Sequence, residues 1–162
     1  MDSVADSIEI RLCKFGKGLF AKKDIPAFSL LCNISGKSLN FKDTLSLKQK
    51  ESHALQIGVD QYILCPSPFL YSNHSCEPNC GVNQNLQFIT IKNIVAGEEL
   101  LWDYSTSMLE RHWTMTCLCN TASCRKIVTD FDRIPHHVQQ HYLRLNVVLP
   151  FIPAQIRHRI AI

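Results

Sequence analysis

Short alternations of apolar and polar residues, separated by turn residues, dominate the N-terminal part of the chain. Residues 8–12 alternate and predict a half-buried strand, while residues 28–34 and 86–91 predict two further strands. Residues 53–64 predict a pair of strands joined by a turn at Gly58. No strand-like run exceeds about eight residues, and no helices alternate with the strands. The pattern therefore predicts a mainly β fold built from several small sheets.

Helical signals are confined to a few segments. The polar, lysine-rich residues 37–52 predict a loop and a short helix. Val138, Tyr142 and Leu145 fall at positions i, i+4 and i+7, which predicts an amphipathic helix over residues 136–146. Two prolines interrupt the sequence that follows this helix, Pro150 and Pro153.

Composition narrows the class of protein. A chain of 162 residues with 46% apolar and 19% charged residues suits one globular domain with an appendage. The net charge of +3 is mild and no basic cluster is present, so we expect no strong nucleic-acid footprint. No apolar run approaches the roughly 20 residues of a membrane span. Residues 1–6 carry no signal-peptide pattern, so we expect an intracellular protein.

Eight cysteines fit a reducing compartment and a metal site better than a disulfide framework. Cys117, Cys119 and Cys124 have the spacing of metal ligands, but three thiolates leave a tetrahedral zinc one ligand short. Cys76 and Cys80 are the two candidates for the fourth ligand.

Three motifs follow one another in a fixed order. Residues 71–80 combine amides, an imidazole, a hydroxyl and two thiols, residues 97–104 read Gly-Glu-Glu-Leu-Leu-Trp-Asp-Tyr, and residues 117–124 hold the three spaced cysteines. Together they resemble the SET-domain protein lysine methyltransferases that have a zinc-binding post-SET segment, over residues 8–127. The resemblance implies a β-clip of short sheets with a pseudoknot. It also implies the division SET domain 1–104, post-SET segment 105–127 and partly helical C-terminal extension 128–162.

The resemblance implies the catalytic residues. Tyr104 matches the catalytic tyrosine, and Trp102, two positions before it, is expected on the same strand face as a second wall of the lysine channel. We expect Tyr104 to orient the amine and not to act as a strong base, because a normal tyrosine titrates near 10. Trp102 lacks a hydroxyl, which favours di- or trimethylation.

The resemblance also implies S-adenosylmethionine as cofactor and one structural Zn²⁺. The cofactor-binding residues are then Lys14, Gly16, Lys17, Gly18, Asn73, His74, Tyr104 and Leu118. Without the resemblance, Gly16-Lys17-Gly18 is compatible with a plain hairpin turn that binds no cofactor. The zinc ligands implied are Cys76, Cys117, Cys119 and Cys124. Cys80 is the alternative to Cys76. Glu98 and Glu99 are assigned to a turn and solvent, and Asp103 is left between a structural and a peptide-attracting role.

The function implied is a protein-lysine N-methyltransferase acting on a histone tail or another basic protein segment. Ile34 and Leu70 stand where the family usually has tyrosine and arginine, which motivates an alternative: a degenerate SET module that binds a peptide or partner without catalysis. A zinc-stabilised interaction domain with no cofactor is a third hypothesis. We expect the protein on chromatin if it is eukaryotic or a host-directed effector, otherwise in the cytoplasm. The C-terminal extension is a candidate cap of the core, substrate contact or homodimer surface.

Overall fold

The regular elements of the protein are mostly short strands. The computed structural model describes residues 4–160. The predicted SET domain begins at residue 1 and the predicted extension ends at residue 162, so residues 1–3 and 161–162 of these two segments lie outside the described residues. The described strands are β1 (Ile8–Cys13), β2 (Gly16–Ala21), β3 (Leu30–Asn33), β4 (Lys37–Leu39), β5 (Ala54–Gly58), β6 (Gln61–Leu64), β7 (Asn73–His74), β8 (Cys80–Val82), β9 (Gln87–Thr90), β10 (Leu101–Trp102), β11 (Met115–Thr116) and β12 (Ile127–Val128). The described α-helices are α1 (Phe41–Leu45), α2 (His136–Arg144) and α3 (Phe151–Ile160). The predicted mainly β fold of several small sheets is confirmed.

The strands form small sheets that surround one apolar core. β1 and β2 form an antiparallel hairpin, and β11 pairs with β12 in the same way. Two antiparallel sheets of three strands have the orders β3-β9-β8 and β4-β6-β5. Leu19, Phe88 and Leu100 are each fully buried in the core between these sheets. Burial of each such side chain contributes about 1.5–3 kcal/mol.

The first strand is less buried than its alternation predicted. Ile8 is 8% exposed, whereas Leu12, on the same face, is 84% exposed. The reason is that β1 pairs only with β2, so the far end of the hairpin extends beyond the core. Gly16 begins β2 with a φ of 102°, a backbone angle that glycine adopts without strain. The predicted hairpin turn and the Gly-x-Gly motif are therefore the same feature.

The two central motifs meet through a parallel pair of strands. β10 pairs with β7, with Leu101 opposite Asn73 and Trp102 opposite His74. Parallel strands need a long connection, and here residues 75–100 provide it by forming β8 and β9 in another sheet. This pairing joins the motifs as the predicted pseudoknot requires.

The C-terminal extension contains one predicted helix and one that the sequence analysis missed. α2 confirms the amphipathic helix, but α3 continues through Pro153 instead of being interrupted by it. Pro153 is the third residue of α3, where the backbone N–H has no partner within the helix and its loss costs little.

The extension packs against the core. Val147 lies so close to β8 that a Cβ on Gly81 would be 2.7 Å from it. Phe131 and Ile152, 1% and 0% exposed, belong to a second apolar cluster that the extension forms together with Ile91 and Leu109. The extension therefore caps the core, and its role as a dimer surface stays a prediction. None of the described helices has the length and apolarity needed to cross a membrane.

Candidate active site and cysteine cluster

Tyr104 lies just after β10 and not on it. The strand ends at Trp102, because the Asp103 carboxylate accepts the N–H of Ser105 at 3.1 Å and a 3-10 helix begins over Tyr104–Ser107. The expectation that Trp102 and Tyr104 share a strand face is therefore wrong. The turn nevertheless brings their ring centroids to 4.9 Å, and both side chains line one cavity.

The hydroxyl of Tyr104 is fixed by the backbone. It donates to the carbonyl oxygen of Ser72 at 3.0 Å. Burial raises the pKa of Tyr104 above its ordinary value, and the nearby Cys65 and Glu99 raise it further. The phenol therefore stays protonated at neutral pH. Its oxygen can orient a neighbouring group, but it is not available as a phenolate base.

The imidazole of His74 connects Tyr104 to the cysteines. The backbone N–H of Tyr104 donates to Nδ1 of His74 at 3.3 Å, which leaves the ring proton on Nε2. Nε2 lies 3.5 Å from the sulfur of Cys76. Burial lowers the pKa of His74 to about 4, against the opposing charge of Asp103, so the ring is neutral. The side chain is thus engaged within the protein, and only its backbone in β7 is left for a ligand.

Asn73 is held by the β1–β2 hairpin and by Glu99. Its Nδ2 donates to the carbonyl oxygen of Lys17 at 3.1 Å and to Oε1 of Glu99 at 2.7 Å. A Cβ on Gly18 would come within 2.5 Å of that same oxygen, so a side chain at this position would displace the Glu99 carboxylate. The assignment of Glu99 to turn and solvent is therefore wrong. Because Nδ2 is engaged, Oδ1 is the atom that Asn73 can offer to a ligand.

The other residues predicted to bind the cofactor lie at the surface. Lys14 and Gly16 are exposed at the tip of the hairpin. The ammonium of Lys17 lies 5.2 Å from the ring centroid of Tyr71. Leu118 is 54% exposed within the cysteine segment. The structure thus brings Lys17 and Gly18 to Asn73. It leaves Lys14, Gly16 and Leu118 exposed to solvent.

A cavity with a volume of about 70 Å³ lies beside Trp102 and Tyr104. Tyr62 and Trp113 contribute further aromatic walls, and the ring of Trp113 lies 6.3 Å from that of Tyr104. Glu110 is the one carboxylate among the described residues that line it. The cavity is therefore a mostly apolar, aromatic space with a single acidic group.

Ile34 and Leu70, the two residues that depart from the family pattern, have different surroundings. Ile34 is 4% exposed in the core and does not line the cavity, whereas Leu70 does. Tyr62, on β6, places a phenol in the cavity wall from another part of the chain.

Four cysteines come together at one end of the candidate site. The sulfurs of Cys76, Cys117, Cys119 and Cys124 all lie within 4.8 Å of one another, and those of Cys76 and Cys117 are 3.7 Å apart. Four sulfurs at about 2.3 Å from a tetrahedral zinc are about 3.8 Å from each other. The donor set and its spacing therefore fit Zn²⁺. Cys80 is 1% exposed in the main core, outside this cluster, so the geometry favours Cys76 over its rival.

Asp103 is a structural hub beside Tyr104. Its carboxylate is fully buried, and it accepts Nη2 of Arg125 at 2.7 Å and the hydroxyl of Tyr142 at 2.9 Å. Arg125 directly follows the last clustered cysteine, and its backbone N–H lies 3.4 Å from the sulfur of Cys76. Tyr142 belongs to α2. A buried carboxylate needs such partners, so the structural role proposed for Asp103 is the one that its contacts support.

Sequence reasoning missed several residues of this region. The position of Arg125 next to Cys124 was a usable signal, since a cation beside clustered thiols stabilises negative charge. The local sequence does not signal the hydrogen bonds of Glu99, Glu110 and Tyr142, because the partner of each residue lies far away in the sequence.

Known proteins resemble the chain over this same region. The SET domain family model matches residues 16–105, more than half of the chain. The Variant-silencing SET domain-containing protein of Plasmodium falciparum (isolate 3D7) is 31% identical over 133 residues, covering 68% of this chain and 5% of that protein. Histone-lysine N-methyltransferase SETD2 of Homo sapiens is 29% identical over 140 residues, covering 75% of this chain and 5% of that protein. The chain thus spans about 5% of the length of these relatives.

A solved structure shares the fold. The crystal structure of KRYPTONITE in complex with mCHG DNA and SAH matches with a TM-score of 0.60 at 24% sequence identity. The match covers 75% of this chain and 29% of that one. At this identity the likeness supports the architecture, a clip of small sheets in which β7 pairs with β10.

Proposed function

The chain belongs to the SET-domain family, and on that premise we propose that it is an S-adenosylmethionine-dependent protein-lysine N-methyltransferase. The observation that carries the proposal is the β7–β10 pairing, which brings Asn73 and Tyr104 to one site beside an aromatic cavity. The histone-lysine methyltransferases among its relatives support a histone tail or another basic segment as substrate.

The residues present fit the cofactor. When bound, S-adenosylmethionine supplies a methyl group on a sulfonium cation. Asn73 would hold it through Oδ1, because Nδ2 is fixed by Lys17 and Glu99. A Cβ on Gly16 would meet nothing within 4 Å, so the hairpin backbone is open to a ligand there. The backbone of His74 and the exposed side chains of the predicted set would complete the contacts.

The cavity favours the neutral form of a lysine. A lysine with a pKa near 10.4 lies about three units from half-neutral at cellular pH, a cost of roughly 4 kcal/mol. Walls such as Trp102, Phe69 and Leu70 offer an ammonium little solvation, which disfavours the charged form and offsets part of that cost.

Tyr104 would orient the amine inside this cavity. Its O–H is engaged with Ser72, so the oxygen presents its lone pairs as an acceptor of N–H or weak C–H contacts. Alignment contributes through proximity and needs no covalent step. Trp102 brings no hydroxyl into the wall, and on that ground we propose di- or trimethylation as the product state. Products that stop at one methyl group with enzyme in excess would contradict it.

The cysteine cluster would hold one structural zinc ion. Four protein ligands leave no open coordination position, which is the pattern of structural sites. The ion would fix the segment that carries Leu118 and Arg125 against Cys76.

A second candidate function is peptide binding without catalysis. The observation in its favour is Leu70, an aliphatic residue in the cavity wall where the family usually has arginine. Loss of cofactor binding with an intact cavity would be its signature.

Calorimetric titration of the zinc-loaded protein with S-adenosylmethionine and S-adenosylhomocysteine tests the proposal. We expect one-to-one binding, weakened roughly tenfold by Asn73→Ala through loss of its hydrogen bonds. Asn85→Ala, an exposed asparagine in the β8–β9 turn, is the matched control and should bind as the wild type does. No binding by folded, zinc-loaded protein would favour the non-catalytic module. Binding followed by methyl transfer to histones would support the enzyme.

A further inference from the structure

Glu110 is fixed in the wall of the cavity through both carboxylate oxygens. The hydroxyl of Tyr62 donates to Oε2 at 2.6 Å, and the backbone N–H of Trp113 donates to Oε1 at 3.3 Å. Tyr62 comes from β6 and Trp113 from the segment before the cysteines, so two separate parts of the chain orient this one group. Each oxygen keeps a lone pair for a further donor.

Arg111, the cation next to Glu110 in the chain, is engaged with other carboxylates. It pairs with Asp130 at 3.6 Å and with Asp132. None of the ion pairs between side chains that the structure describes includes Glu110. A partly buried carboxylate without a cation lacks its most favourable partner, which a ligand entering the cavity can supply.

The reaction decides which cation suits Glu110. An ion pair with the target amine would stabilise the ammonium and raise the pKa of the lysine, against the need for a neutral nucleophile. A cation that does not react can pair with the carboxylate without that penalty. Trp113 lies between Glu110 and Tyr104, since its backbone N–H binds the carboxylate of Glu110 and its ring packs near the ring of Tyr104. A residue beside the target lysine can therefore reach Glu110 while the lysine reaches Tyr104.

Resting on the proposed function, we propose that Glu110 is a specificity-determining residue that pairs with a basic side chain within a few residues of the target lysine. The substrate class is then a protein segment in which the methylated lysine has an arginine or a second lysine as a close neighbour. Glu110 contributes to binding of this neighbour and not to the chemistry at the target amine.

A cycle of enzyme and peptide variants tests the pairing. The probes are synthetic peptides with one central lysine and an arginine placed in turn at each flanking position, each with a matched peptide carrying neutral citrulline. The enzymes are the wild type, Glu110→Gln and Glu9→Gln, the last removing one exposed carboxylate of β1 as a control for net charge. Initial rates of methyl transfer at saturating S-adenosylmethionine give kcat/KM for each combination.

At one or two flanking positions we expect citrulline to lower kcat/KM roughly tenfold for the wild type and for Glu9→Gln. Glu110→Gln should show no such difference, with the change residing in KM. An equal loss in Glu110→Gln would overturn the pairing. A loss in Glu110→Gln that is just as large for peptides without arginine would also overturn it, because Glu110 would then act on the target lysine or on folding.

A binding experiment separates this inference from the proposed function. Fluorescence anisotropy with peptides whose central lysine is replaced by norleucine reports the flanking arginine without any turnover. If no peptide is methylated but the arginine preference still depends on Glu110, the enzyme proposal fails and the pairing stands. If cofactor binding and turnover are present without that dependence, the pairing alone fails.

Discussion

At the scale of single residues, Tyr104 combines a fixed position with a fixed protonation state. Ser72 accepts its hydroxyl proton, while burial keeps the phenol neutral. Two neighbouring rings, those of His74 and Trp102, lie 5.2 Å and 4.9 Å from it. Removing the hydroxyl alone should therefore change the chemistry without disturbing the packing.

We expect Tyr104→Phe to lower the kcat of methyl transfer roughly hundredfold, the effect typical of a lost positioned group. Cofactor affinity by calorimetry and zinc content should stay unchanged, because the ring and the cysteines are untouched. Tyr71→Phe is the matched control, since it removes the hydroxyl of a half-buried tyrosine outside the cavity. Turnover by Tyr104→Phe equal to that of the control would remove Tyr104 from its proposed role.

Residue roles were predictable from the sequence where a local motif marks them. The spacing of Cys117, Cys119 and Cys124 marks a metal site within eight positions of chain. Glu99 has no such mark, because its partner Asn73 lies 26 positions earlier. Tyr142 and Asp103 are 39 positions apart. Such pairs are created by the fold, so only the structure reveals them.

At the scale of elements, β8 and the extension are in close contact. Gly81 lies under Val147, with no room for a side chain between them. The alternation of apolar and polar residues carries no information on which segment packs against β8. The helix α3 was missed because Pro153 was taken as a breaker, whereas in the first turn it fits.

We expect Gly81→Ala to lower the free energy of unfolding by about 1–3 kcal/mol, because the added methyl group overpacks the contact with Val147. Urea denaturation measures this change. The double variant Gly81→Ala with Val147→Ala should lose less than the sum of the two single variants, since the second change removes the clash. Strictly additive losses would show that the two positions do not touch in solution.

At the scale of the whole molecule, the cysteine cluster and the Asp103 hub hold three parts of the chain together. Cys76 comes from the central motif, Arg125 from the cysteine segment, and Tyr142 from the extension. Because Asp103 immediately precedes Tyr104, disorder in the cysteine segment should reach the cavity.

We expect one zinc ion per chain by mass spectrometry of the native protein, and loss of that ion in Cys124→Ser. Chelation of the wild type should lower Tm and methyl transfer together, with increased hydrogen exchange over residues 117–126 and at Asp103. Cys32→Ser, which alters a half-buried thiol outside the cluster, is the control and should keep its zinc. Full activity after verified zinc removal would disprove the coupling.

The separation of Cys76 and Cys117 along the chain has a consequence for the unfolded state. The two sulfurs meet although their residues are 41 positions apart, and the loop between them contains β8, β9, β10 and Tyr104. A metal ion that joins them closes this loop as a covalent cross-link would. For a loop of this length the loss of chain entropy in the unfolded ensemble is worth about 4 kcal/mol. The thiols would then favour folding of the cavity wall by reducing the number of conformations open to the denatured chain. This effect is separate from any contact that they make in the native protein.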